Sequence, residues 1–437
     1  MLSKSQVIKQ VLFTALWIRL TWGFITDEIF TFLDPLSSFV YLLFDAVIVV
    51  LGIVTLRKKC DFIVAAVAIA FTAWVTIAQN SMDILFYANG LRDFIAYIFI
   101  IPILRHFMSN EARWQRFTLD FDKFLFAFLV LQVPCLIWQY IAYGAGDHGG
   151  GSLGNWNSGI ISTLIYVIDF YLLQKRINPN QVLKSISNNM VYVLLLIPTF
   201  LNETKISFIF LVMFFLLLIP INLKMLIRLA GTIPVLIVLL WGGMTAYVVS
   251  TGGYMGDVFT LDYYIEGYLM AETDDSEKYA KWLIDNDADE IEDIPRFTKL
   301  ILLSDVYDEN PGKQLSGFGI GHFKGGTIVP DSDFFNYYKW LMIGSIPYAF
   351  HIIVQLGFVG LIVSLLFFIW LLFHPQAKRI NRNPNTQLFI LITIVLLYFY
   401  NDSIRNAFMM FFLFYVVMQS WCPGSITSKR HNTHSNG

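Results

Sequence analysis

Long apolar runs recur along the chain, separated by short clusters of polar and charged residues. "YVLLLIPTF", "FIFLVMFFLLLIPI" and "VGLIVSLLFFIWLLF" are typical. Each joins its neighbours into a stretch near the roughly 20 residues that a helix needs to cross a bilayer. The pattern predicts helical spans over 11–29, 36–56, 62–79, 85–104, 121–143, 157–174, 188–202, 205–222, 228–249, 346–373, 386–400 and 404–421, twelve in all. The seventh and eighth lie so close together that they also fit one broken element.

Composition removes the main alternative. Of 437 residues, 56% are hydrophobic and only 14% charged, with a mean hydropathy of +0.60. A soluble domain carries about a quarter charged residues. A large soluble helical protein therefore fails, and the chain reads as an all-α polytopic membrane protein. No period of 20–50 residues repeats, which argues against a solenoid.

Lysine and arginine predict the orientation. Lys4 and Lys9 precede the first span, Arg57, Lys58 and Lys59 follow the second, and Arg105, Arg113 and Arg116 follow the fourth. Lys175, Arg176 and Lys184 follow the sixth, and Lys224 and Arg228 the eighth. Lys378, Arg379 and Arg382 follow the tenth, and Lys429 and Arg430 the last. Every second connection is basic, so both termini are expected in the cytoplasm. The first span lacks a small-residue cleavage site and is read as retained.

The remaining connections are expected outside. Two are long: the glycine-rich "YGAGDHGGGSLGNWN" (143–157) and residues 250–345. The second carries 18 Asp/Glu against 7 Lys/Arg, a net of −11, so the rest of the chain carries +9. That acidity argues against binding nucleic acid or an anionic surface there. Cys60, Cys135 and Cys422 all fall outside this segment, which must fold by packing without a disulfide. No nucleotide P-loop and no metal-spaced His/Cys cluster is present. Apolar residues at helical spacing in "DYYIEGYLM", "PRFTKLILLSDVY" and "DFFNYYKWLMI" predict short helices, and Pro295 suits the first turn of the one containing Arg296.

Within that segment lies "LSGFGIGHFKGG", residues 315–326. Glycine backbone approaches a ligand closely, and successive free N–H groups form an anion-binding nest. A phosphate cradle, a flexible tip and a tight turn carrying a histidine all fit the stretch. Ionisable residues near the expected outer ends of spans add to it: Arg92 beside Asp93, Glu203 and Lys205 in "FLNETKISF", Asp402 and Arg405 in "YNDSIRNAF", and His351. Arg296, His322 and Lys324 join them from the long segment. Any single charge at a span end is more often a snorkelling interfacial residue. Lys324 also fits a solvated loop charge, and Arg19, in the middle of the first span, a structural pairing. The argument rests on several cations from separate elements at one face, and the anion available outside is a lipid-linked pyrophosphate.

At these positions the chain resembles a known family. The Arg in "GLRDF", the "NETK" turn, and a long loop with "PRF" followed by "LSGFGIGHF" are similar to Wzy-type polysaccharide polymerases. The relation extends to O-antigen ligases and, by layout, covers nearly the whole chain. "HIIVQLGFVGLI", 351–362, resembles the helix with a G-x-x-G step that follows the loop in this superfamily. Ligases usually show a His-Asn pair ahead of that step. "IPYAFHIIVQLG" offers only His351, closer in and without the Asn, which favours polymerase over ligase.

The resemblance implies a GT-C-like glycosyltransferase architecture in the bacterial cytoplasmic (inner) membrane. Residues 1–249 would hold nine transmembrane helices, 250–345 a partly helical extracytoplasmic loop, 346–421 three more helices, and 422–437 a cytoplasmic tail. It implies metal-independent glycosyl transfer without a cofactor, between undecaprenyl-pyrophosphate-linked oligosaccharides held in membrane lipid, beside a chain-length regulator protein. Arg92, Lys205, Arg296 and Arg405 are expected to converge on the pyrophosphate. Gly317, Gly319, Gly321, Lys324 and Asp402 are expected near substrate. Glu203, His322 and His351 are the candidates for the base. Glu203 ranks first because a tight turn between two spans fixes it and because its charge balances a cationic cavity. A lipid or solute transporter is the rival from another class, although no paired halves with broken helices are visible.

Overall fold

The computed structural model describes residues 3–80, 84–144, 148–202, 205–218, 296–321, 346–373 and 384–419, and every regular element among them is helical. Local chemistry sets several starts. Helix α1 (Lys4–Phe24) opens on a capping box, in which the Ser3 hydroxyl accepts from the Gln6 backbone N–H and the Gln6 side chain accepts from that of Ser3. Helix α1 thus begins before the apolar run does. It is followed by α2 (Ser37–Thr55), α3 (Lys59–Ala73), α4 (Ile84–Leu91), α5 (Ile95–Met108) and α6 (Glu111–Tyr143). Asn110 caps α6 by accepting from the Arg113 N–H at 3.0 Å. The chain continues through α7 (Ser158–Gln174), α8 (Val182–Asn188), α9 (Met190–Leu194), α10 (Lys205–Leu218), α11 (Arg296–Glu309), α12 (Lys313–Ser316), α13 (Tyr348–Leu372), α14 (Pro384–Phe399) and α15 (Ala407–Gln419).

Four described helical stretches are long and apolar enough to cross a membrane: Thr31–Thr55, Lys59–Gln79, Glu111–Tyr143 and Tyr348–Leu372. Two bent pairs raise the number to six if each is one span. Ile84–Phe94 and Tyr97–Met108 meet at 45°, and Val182–Asn188 and Met190–Phe200 at 75°. Ser158–Gln174, Ile209–Leu218, Asn385–Phe399 and Ala407–Gln419 are apolar but shorter. Twelve crossings are more than these lengths establish, and the span expected at 228–249 lies outside the described residues. The fourth span, 85–104, is bent within its expected length, and the second bend, at Asn189, falls at the start of the expected seventh, 188–202. In the seventh, the Asn189 side chain donates to the Ser185 carbonyl at 2.8 Å, competing with the helical ladder at the break.

Outward faces of several long helices stay apolar. Phe62 is 62% exposed and Leu366 58%. Side chains of this kind at this density suit hydrocarbon rather than water. Inside, Phe117, Phe121, Phe411 and Tyr415 stack between α6 and α15. Much of the phenylalanine excess is core packing of this sort.

Connections gather at two opposite ends of the bundle. At one end, Lys9 pairs with Asp120, Arg105 with Asp61, and Lys175 with Asp122. At the other, Asn155 N–H donates to Asp27 at 2.7 Å, Asn202 Nδ2 donates to the Gly149 carbonyl at 3.0 Å, and Gly159 lies against Asn401. Through Asn401, this second end adjoins the turn that carries Asp402 and Arg405.

Helix α13 is broken at Gly357, whose φ is 66°. The break deprives the carbonyls of residues 353–355 of their partners four residues on. All three are taken up again: Tyr307 Oη donates to Ile353 O at 2.7 Å, Phe318 N–H to Val354 O at 2.9 Å, and Gly319 N–H to Gln355 O at 2.9 Å. Residues 317–321 of the glycine-rich stretch thus lie in the notch of a broken helix. Their other side meets the end of α3 and α4, where Ile320 N–H donates to Thr76 Oγ1 at 3.0 Å. A Cβ at Gly317 would fall 2.5 Å from the Gln355 backbone, one at Gly321 2.2 Å from Phe86 O, and one at Gly357 2.3 Å from Leu315. Gly317 and Gly321 also have positive φ, at 72° and 97°. The glycines are here because backbone packs on backbone.

Gly312 has an equally positive φ of 93° with open space around it. Gly321→Ala and Gly357→Ala are therefore expected to lower the melting temperature of the detergent-solubilised protein well beyond Gly312→Ala. The control carries conformational strain of about 1–2 kcal/mol, whereas the two packed positions add a clash with backbone. Equal shifts for all three would refute the packing account.

Candidate functional site

Four polar side chains from three segments meet at the turn Ser403–Arg405: Asp402 and Arg405 of the turn itself, Asp93 and His351. Arg405 Nη2 donates to Asp93 Oδ2 at 3.2 Å, and Nη1 to Asp402 Oδ2 at 3.1 Å. Nη1 also lies 2.8 Å from Nε2 of His351, which α13 delivers six residues before its break at Gly357. An arginine nitrogen only donates, so Nε2 accepts and the proton of the neutral imidazole sits on Nδ1. That Nδ1 is buried without a hydrogen-bond partner among the described residues. His351 is 4% exposed and meets the site only through the nitrogen that Arg405 occupies. Its geometry is that of a support for Arg405.

Asp402 lies outside the apolar spans, with 36% of its side chain exposed. Burial alone would raise its carboxyl, but the charge and hydrogen bond of Arg405 outweigh that and hold it down to about 2. Three of the five Arg405 N–H donors are used in these contacts. Two remain without a partner among the described residues, on a side chain that is 29% exposed.

The four expected cations do not all share this arrangement. Arg92 Nε donates to Asp45 Oδ2 at 2.6 Å, in a crevice of about 10 Å³ bounded by Phe44, Ile95 and Ala407, with room for about one water. Arg92 and Asp93, adjacent in sequence, thus take different partners. Arg296 opens α11, is buried, and sits 4.3 Å above the ring of Tyr400, with Nε lacking a hydrogen bond among the described residues. Lys205 opens α10. Glu203, His322 and Lys324 lie outside the described residues. Asn202, the neighbour of Glu203, is buried and held to Gly149, Ser158 and Ser162.

The glycines at 317, 319 and 321 belong to the notch described above. The amides of Gly317, Phe318, Gly319 and Ile320 all donate within the protein, so these four do not form a free anion nest. Arg19 has found a partner inside the bundle, lying 3.9 Å over the ring of Tyr41.

Two carboxylates in this region were not marked in the sequence as parts of a site. Asp45 interrupts an apolar run, and a lone acid at such depth calls for a cation. Asp93 was visible only as a neighbour of Arg92, and no spacing rule links it to Arg405. Asp45, Asp93 and Asp402 already balance Arg92 and Arg405. The need for Glu203 to neutralise an over-positive cavity is correspondingly weaker.

No family model matches the chain, and no curated protein matches it.

The depressed carboxyl of Asp402 fixes a pH dependence. A group whose folded value lies below its ordinary 3.8 adds stability above that value and loses it as pH falls towards about 2. The melting-temperature gap between wild type and Asp402→Asn should therefore stay constant from pH 8 to 5 and narrow below about pH 4. A gap that closes between pH 7 and 5 would contradict the Arg405 pairing.

Proposed function

We propose that this chain is a glycosyltransferase that polymerises polyprenyl-pyrophosphate-linked oligosaccharides at the outer face of a bacterial cytoplasmic membrane. The observation that carries the reading is Arg405: a fixed guanidinium, held from three sides, with two donors unused and partly open to solvent. Arginine presents phosphate oxygens with a planar fork that stays charged.

In the proposed reaction a hydroxyl of one lipid-linked repeat unit attacks C1 of the sugar on the other lipid. The new C–O bond forms as the bond from C1 to the pyrophosphate oxygen breaks. The electron pair leaves with the pyrophosphate, and the hydroxyl proton passes to a base. Arg405 stabilises the departing charge, and its preset orientation lowers the reorganisation needed in the transition state. Asp93, Asp402 and His351 position it. Glu203 remains the assigned base, supported by the anchoring of Asn202 immediately before it. Arg296 is the second cation assigned to the pyrophosphate, and His322 the alternative base. An O-antigen ligase-type transfer would use the same machinery with a different acceptor.

The two bent helix pairs favour one other reading, a lipid or solute transporter, since broken helices recur in transporter sites. One experiment separates the two. Purified protein in lipid bilayers, given lipid-linked repeat units, should yield polymer. Arg405→Ala should lower the rate by about 10²–10³-fold, with Arg405→Lys intermediate. Glu203→Gln should cost about 10²–10⁴-fold. Substrate crossing the bilayer without any polymer would decide for the transporter. Polymer at full rate from Arg405→Ala would remove Arg405 from the mechanism.

A further inference from the structure

The connection between α6 and α7 presents an aromatic surface that the chemistry at Arg405 does not use. Trp156 is 74% exposed and is the one non-glycine residue with positive φ among the described residues, at 65°. A bulky side chain in that conformation is strained, and such strain persists only where the surroundings impose it. Here they do. On one side, Asn155 N–H is clamped to Asp27 Oδ2 at 2.7 Å. On the other, Asn157 Nδ2 donates to the carbonyls of Leu153, Gly154 and Asn155 at 3.0–3.3 Å. The turn pushes the indole outward rather than into the core.

The indole does not stand alone. Its ring centre lies 4.6 Å from that of His148, which in turn is 5.6 Å from Tyr143. Among the described residues neither ring nitrogen of His148 has a hydrogen-bond partner. Glu28 fixes the far side of the group, accepting from Tyr143 Oη at 3.1 Å and Trp138 Nε1 at 3.2 Å. An open indole face beside an unsatisfied imidazole suits a ligand with an apolar face and polar edges. A pyranose ring has both, with C–H groups to lie on the indole and hydroxyls to reach His148. Three residues after Trp156, Gly159 rests against Asn401, the neighbour of Asp402. The surface is therefore at the same end of the bundle as Arg405.

We propose that Trp156, with His148, is a saccharide-binding surface, and that it holds the acceptor glycan near the transfer site. Binding stands on the geometry alone, whereas the acceptor role rests on the transfer reading. The probe is the repeat-unit oligosaccharide freed of lipid, prepared from the producing cell's own polysaccharide, and added to full-length protein in lipid nanodiscs. Trp156→Ala should weaken its binding, measured by equilibrium dialysis, by about tenfold or more, the loss of one good aromatic contact. Trp156→Tyr should stay within about threefold, because it keeps an aromatic face. In the transfer assay Trp156→Ala should raise KM for the acceptor while leaving kcat close to wild type, the reverse of Arg405→Ala.

The failures are separable. Wild-type protein that binds the oligosaccharide but makes no polymer would overturn the transfer reading and support the surface. Wild-type protein that does not bind it would overturn the surface. So would Trp156→Ala with unchanged binding and unchanged acceptor KM, leaving Trp156 an anchor at the membrane interface. Trp156→Gly, which removes the ring and relieves the backbone strain, guards against reading misfolding as lost binding: it should match Trp156→Ala in affinity and equal or exceed wild type in thermal stability.

Discussion

A guanidinium at the end of an apolar helix bundle is costly unless its partners are already in place. Arg405 has them on three sides, from the 3-10 turn preceding α5, from the turn preceding α15, and from α13. Each partner is set by a different part of the chain, so this one charge ties together segments more than 300 residues apart in sequence. Asp402 shows the strength of the coupling, because its carboxyl is held down against the effect of partial burial.

The third partner depends on a backbone device elsewhere. His351 reaches Arg405 from the first part of α13, whose direction is set by the break at Gly357. That break is tolerable because Tyr307, Phe318 and Gly319 satisfy the three carbonyls it exposes. Glycine supplies the two conformations and the close approach that the arrangement needs, at Gly357 on one side and at Gly317 on the other. Residues 317–321 thus act as a wedge that fixes the helix beneath them.

The same end of the bundle carries an aromatic surface held by a second set of carboxylates, Asp27 and Glu28. Carboxylates here mostly hold other groups in place. Asp45 steadies Arg92, Asp93 and Asp402 steady Arg405, and Glu28 orders the aromatic rings. Among the described residues of this end, two donors of Arg405 and the indole of Trp156 are left open.

Apolar runs near the length of a bilayer determined the helical character of this chain, since hydrocarbon leaves the backbone few alternatives to a helix. The capping residues Ser3 and Asn110 marked helix starts for equally local reasons. Sequence also brought forward Arg405, Asp402 and His351, because charges near span ends are conspicuous. What it could not determine was the pairing. Whether Arg92 or its neighbour Asp93 faces Arg405 depends on a bend between α4 and α5, and no periodicity records that bend. The role of the glycines was likewise hidden, because a backbone that approaches a ligand and one that approaches another backbone require the same residue. Only packing of α3, α4 and α13 around Gly317–Gly321 decided between them, by using up the amides that a free anion would need.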